Sequence, residues 1–163
     1  MKAATSNLPV EDRHFEDFVP GLVSEFGPIA IDEADVVAFA RHYDPQPIHV
    51  DPAAAAAGPF GGLIASGWHT VSLVMRVLVE NYLARGAALA SPGVDELRWL
   101  QPVRPGDVLR VRVTVLEARR SRSKPDRGLV RTRIETVNQD DAVVMSMVAM
   151  NLFLCRFPGT DAG

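Results

Sequence analysis

The stretch SGWHTVSLVMRVLVENYLARG, residues 66 to 86, most narrows what this chain can fold into. Its apolar residues Val71, Val74, Met75, Leu78, Val79 and Leu83 recur at spacings of three and four, which predicts the longest helix of the chain. Ser66 stands where a capping side chain is wanted. A helix this apolar around its circumference needs other structure wrapped over it.

The remaining sequence supplies the wrapper. From Gly93 onward the hydrophobic period changes to two, in DVLRVRVTVLEA and LVRTRIETV, and VVMSMVAMNLFLC is an apolar run; all three read as strands. They are separated by PVRPGD, SRSKPDRG and NQDD, rich in residues that favour turns. An earlier segment, FGPIAI from Phe26, reads as one more strand. One long helix and a run of antiparallel strands predict an α+β domain in which the sheet curls around the helix. Residues 1–14 are polar and without period and are expected to form a flexible arm. Residues 15–157 are expected to form the single domain, and 158–163 a tail. A chain of 163 residues buries enough surface to fold without a disulfide or metal staple. The single cysteine, Cys155, lies in an apolar run and is expected to be buried and inert.

Charge and hydropathy remove several function classes. The net charge is -3 at pH 7, so no overall field favours nucleic acid. Uncharged runs are too short for a membrane span or are broken by glycine and proline, and the first residues lack the apolar core of a secretory leader. A cytoplasmic enzyme without nucleic-acid or membrane partners is expected.

Chemistry is concentrated in YDPQPIHVD, residues 43–51. Before it, Asp32 caps a predicted helix from Glu33 to about His42, with acidic residues in its first turn, and Pro45 ends it. Asp44 therefore falls just beyond a helix C-terminus. After it, DPAAAAAG predicts a short helix with Pro52 in its first position and Gly58 as its stop. Asp44 and His49 sit five residues apart on a segment stiffened by Pro45 and Pro47. A carboxylate and an imidazole so held can grip a water and move its proton, worth roughly 10²- to 10⁴-fold in rate. A polar turn would use the same residue types, and the residues alone leave both readings open. His42, Asp44, His49 and Asp51 do not match a zinc-ligand spacing, and no metal is expected.

HYDPQPIHVDPAAA, then GGLIASGWHTVSLVMRVL, then LRWLQPVRPGDVLRVRVTVLEARRSRSKPDRGLVRTRIETVNQDD resemble the MaoC-like dehydratases, a family that includes the (R)-specific enoyl-CoA hydratases. The resemblance runs from about Phe15 to Phe157. Its most specific part is a motif of the form G-D-x-N-P-I-H-x-D, met at Asp44, Pro47, Ile48, His49 and Asp51. It implies the hot-dog fold, a dimer or higher homo-oligomer, and syn addition of water to a trans-2-enoyl-CoA thioester. No cofactor is implied beyond the coenzyme A of the substrate. By the same resemblance Asp44 and His49 are the catalytic pair, and the Gly67 amide at the helix N-terminus stabilises the enolate oxygen. Gln46 and Ser66 are expected around the substrate; Trp68 can line the acyl pocket or fill core, and Arg122 and Lys124 of the basic turn can hold the coenzyme A phosphates or simply be solvated. Gln46, Tyr43 and Ser66 stand where the family commonly has Asn, Gly and His, and His69 is expected on the helix surface. A thioesterase and a non-catalytic acyl-CoA-binding subunit are the alternatives within this fold.

Overall fold

The computed structural model describes residues 8–83 and 85–158. Its strands are β1 (Val23–Ala30), β2 (Gly93–Trp99), β3 (Val108–Arg120), β4 (Arg127–Val137) and β5 (Val143–Leu154). They form one antiparallel sheet in the order β1-β3-β4-β5-β2, which leaves β1 and β2 as its edges. The helices are α1 (Glu33–Tyr43), α2 (Pro47–Val50), α3 (Pro52–Ala57) and α4 (Gly67–Asn81).

The period-two pattern places the core. In β3, Leu109, Val111, Val113 and Val115 are buried, while Arg110, Arg112 and Thr114 between them are half-exposed. Full burial of one such side chain stabilises by roughly 1.5–3 kcal/mol, so a one-residue slip that turned all four outward would be strongly disfavoured. Val74, Val77 and Leu78 of α4, with Tyr82 beyond its end, join this core, as do Ile134 of β4 and Met145, Met147 and Phe153 of β5. The result is the expected hot-dog arrangement of a long helix held against a curved antiparallel sheet.

The wrapping is less complete than the sequence predicts. Met75 and Val79 of α4 remain 46% and 43% exposed, because the five strands of one chain cover only one side of the helix. His69, expected on that surface, is instead 5% exposed and stacked on Phe39 of α1, with ring centroids 4.8 Å apart.

Two caps set the approach to the site. Asp32 Oδ1 accepts from the amides of Ala34 (2.8 Å) and Asp35 (3.2 Å), starting α1 one residue after the expected cap. Asp51 Oδ1 accepts from Ala53 (2.9 Å) and Ala54 (3.0 Å) and starts α3, with Pro52 in its first position. Within residues 8–14 of the expected arm, Val10–Asp12 forms a 3-10 turn, and Arg156 donates to the Asp12 carbonyl (3.0 Å) and the Asp17 carboxylate (2.7 Å). Residues 1–7 and 159–163, the rest of the expected arm and tail, lie outside the described residues. No helix among the described residues is long and apolar enough to cross a membrane.

Candidate active site

Asp44 is the residue on which α1 ends. Its amide donates to the Ala40 carbonyl (2.8 Å), and Pro45 prevents another turn. The chain then makes the four-residue helix α2, whose first position is Pro47, and this turn buries His49. Ile64 ties back to Ile48 through its amide (3.2 Å) and Ala65 to the Val103 carbonyl (2.7 Å), so the segment entering α4 lies beside α2. Gly61 and Gly62 in the preceding loop have φ of 64° and 157°, conformations that favour glycine. Arg104 donates to the Phe60 carbonyl of that loop (2.6 Å) and fixes it at the rim.

These elements bring Asp44 and His49 together. Asp44 Oδ2 and His49 Nε2 are 3.3 Å apart. The other ring nitrogen, His49 Nδ1, is 2.8 Å from the Ile64 carbonyl oxygen. A carbonyl only accepts, so Nδ1 carries the hydrogen, and Nε2 is the atom free to take or give a proton. Asp44 is held from two sides, by Gln46 Nε2 donating to Oδ1 and Ser66 Oγ donating to Oδ2, each at 2.7 Å. The Gln46 and Ser66 hydrogen bonds hold its carboxyl below the usual carboxylate range and outweigh partial burial, with His49 adding a smaller pull. Asp44 is therefore ionised at neutral pH.

Ser66 occupies the N-cap position of α4, but its hydroxyl makes no capping bond. It goes to Asp44, where a charge-assisted hydrogen bond is worth more than a neutral cap. The next residue, Gly67, has no acceptor for its amide among the described residues, as expected of a first-turn N-H. Its φ is not positive, so a strained turn does not explain the glycine. A β-carbon there would lie 2.3 Å from Cε2, 2.4 Å from Nε1 and 2.8 Å from Cδ2 of Trp99, and the indole occupies the space that any side chain would need.

Asp44, His49 and Gly67 line one pocket of about 370 Å³. Its inner walls are Ile64, Ala65, Val103, Val144 and Met145, all buried. Its rim includes Phe60, Trp68 and Trp99, each partly exposed. Trp68 lines the pocket and, 57% exposed, does not fill core. His42 and Asp51, the other members of the polar cluster, are engaged elsewhere. His42 Nδ1 meets the Ala38 carbonyl at 3.1 Å, and Asp51 caps α3.

Arg122 and Lys124 are not brought to this pocket. They lie in the turn between β3 and β4, whereas the pocket lies near the other end of β3, where Arg110 pairs with Val137. Thirteen residues of β3, at about 3.3 Å each, put roughly 40 Å between the two ends, beyond a side chain's reach. Sequence reasoning also missed Trp99, Thr70 and Gln101 in the lining.

The family model for the MaoC like domain matches residues 18–139, which include Asp44, His49, Gly67 and every strand except β5. The chain belongs to this family. Among solved structures, the MaoC-like dehydratase from Rhodospirillum rubrum superposes with a TM-score of 0.83 at 38% identity, covering 89% of this chain and 99% of that one. The R-hydratase PhaJ1 from Pseudomonas aeruginosa superposes at 0.68 with 27% identity, covering 92% and 96%. The 3-hydroxybutyryl-CoA dehydratase of Methylorubrum extorquens is 39% identical over 105 residues, 64% of each sequence, so the match spans less than two thirds of that relative. In this MaoC-like chain, Gln46 reaches Asp44 directly, so the position where the family motif has Asn still supports the acid.

Proposed function

We propose that this chain adds water reversibly and with syn geometry to trans-2-enoyl-CoA thioesters, giving 3-hydroxyacyl-CoA. The observation that carries the reading is the approach of Asp44 Oδ2 and His49 Nε2 to 3.3 Å in the pocket that the unpaired Gly67 amide also lines. The names of the R. rubrum, P. aeruginosa and M. extorquens relatives support the same reaction class.

A neutral His49 presents a lone pair at Nε2, and ionised Asp44 presents another, so one water can donate a hydrogen to each. As the water oxygen bonds to C3 of the enoyl group, one of its protons passes to the pair. The pair returns a proton to C2 from the same side, and the elements of one water are added. The two hydrogen bonds that weaken Asp44 as a base support His49 Nε2 as the proton acceptor. Asp44 then orients the water and stabilises the imidazolium. Negative charge gathering on the thioester oxygen meets the Gly67 N-H and the positive end of α4. Loss of one such donor typically costs about 10²- to 10³-fold in rate.

The chemistry requires no cofactor beyond the coenzyme A that the substrate brings. A homodimer acting in the cytoplasm is part of the proposal. The unpaired outer edge of β2, with Val94 exposed, and the bare Met75 and Val79 of α4 support a second copy as the partner. Incubation with crotonyl-CoA tests the reaction. Loss of the conjugated enoyl absorbance without free thiol is expected. Release of thiol would make the protein a thioesterase, and no change in either signal would leave a binding subunit.

A further inference from the structure

The partly exposed side of the pocket differs from its buried walls. Ile64, Ala65, Val103, Val144 and Met145 are parts of the buried core and cannot move without unpacking it. Trp99 is 47% exposed at the end of an edge strand, and its aromatic neighbour is Trp68, edge-on at 5.4 Å.

Trp99 reaches this position through an irregularity in β2. Asp95 pairs with Val148 and Arg98 with Ser146, so three steps along β2 match two steps along β5. The extra residue is a bulge, and beside it Glu96 has a φ of 55°, an uncommon conformation for a side chain-bearing residue. Paired residues share a face of the sheet, so the bulge exchanges Arg98 and Trp99 between the two faces. Trp99 becomes the partner of Met145, itself a pocket wall, and its indole closes onto Gly67. Without the bulge Arg98 would pair there. Bulges near active sites commonly re-aim a side chain in this way.

We propose that Trp99 determines acyl specificity by restricting the pocket to short chains, an inference that rests on the acyl-thioester reading of the site. At about 370 Å³ the pocket lies near the lower end of the roughly 300–1,000 Å³ range of small-molecule sites. That size suits a short acyl thioester better than a long one. The inner walls are fixed by packing, so the indole is the wall that a longer chain would have to displace.

Calorimetric titration with butyryl-CoA and octanoyl-CoA reads this without turnover. The wild-type chain should bind butyryl-CoA more tightly. Trp99→Ala should shift the ratio of the two affinities toward octanoyl-CoA by about tenfold or more, the scale of a few methylenes gaining a pocket. Trp99→Phe keeps most of the wall and should give an intermediate shift, which preserves the test if the alanine variant folds poorly. An unchanged ratio in the folded variants, or a wild-type preference for octanoyl-CoA, overturns the proposal. Crotonyl-CoA turnover is scored separately: its absence with a shifted affinity ratio removes the hydratase reading and keeps Trp99 as the limiting wall.

Discussion

Replacing Gly67 by alanine isolates the contact on which the architecture of the site depends. In a helix, alanine is ordinarily favoured over glycine by up to about 1 kcal/mol, so a position chosen for backbone reasons alone should tolerate or welcome the change. Here the new methyl would lie 2.3, 2.4 and 2.8 Å from three atoms of the Trp99 ring, and the indole must move or the helix start must shift. Overpacking of this kind costs about 1–3 kcal/mol. Removing the indole should cancel that cost, so in a Trp99→Ala background the Gly67→Ala change should be neutral or slightly stabilising. Urea unfolding of the four proteins in this cycle measures the coupling, expected at about 1–3 kcal/mol. Equal effects of Gly67→Ala in both backgrounds would refute the view that Trp99 dictates the glycine.

Ser66 and His69 offer two further perturbations. Ser66→Ala removes a donor that favours the charged form of Asp44, so the carboxyl titrates at higher pH and the acid limb of kcat/KM should move upward; an unmoved limb in a folded variant would separate Ser66 from the acid. Burial holds His69 below its ordinary value of 6.5, with Asp35 opposing more weakly. Its depressed pKa means the unfolded chain binds a proton before the folded one does, so its contribution to stability is present above about pH 6.5 and fades as pH falls through the lower folded-state value. Melting temperatures at pH 7 and pH 5 should therefore differ less in His69→Leu than in the wild type, and an identical difference would contradict this role for the buried ring.

Helix α4 and strands β3 and β4 were legible from hydrophobic periods that run through most of each element, β5 from its long apolar run, and Asp32 and Pro52 announced the starts of α1 and α3. The catalytic pair was legible because both members lie on one short, proline-stiffened segment. What joins that segment to the rest was not. Ser66 meets Asp44 across 22 positions, and a serine ahead of a helix reads first as a cap. Trp99 approaches Gly67 only because a bulge overrides strict alternation in β2, and no residue in GVDELRW signals where an extra residue will fall. The basic turn carried charge but no direction in space, and the sheet sends it away from the pocket. His69 had a readable sign: Leu73 and Val77 follow it at helical spacing, and both pack against the core.

Hydration of crotonyl-CoA by Asp44→Asn and His49→Gln, compared with the wild type at matched folding, tests the paired acid and imidazole most directly. Each substitution should lower kcat/KM by about 10²- to 10⁴-fold while melting remains cooperative. Wild-type turnover in either folded variant would contradict the assignment.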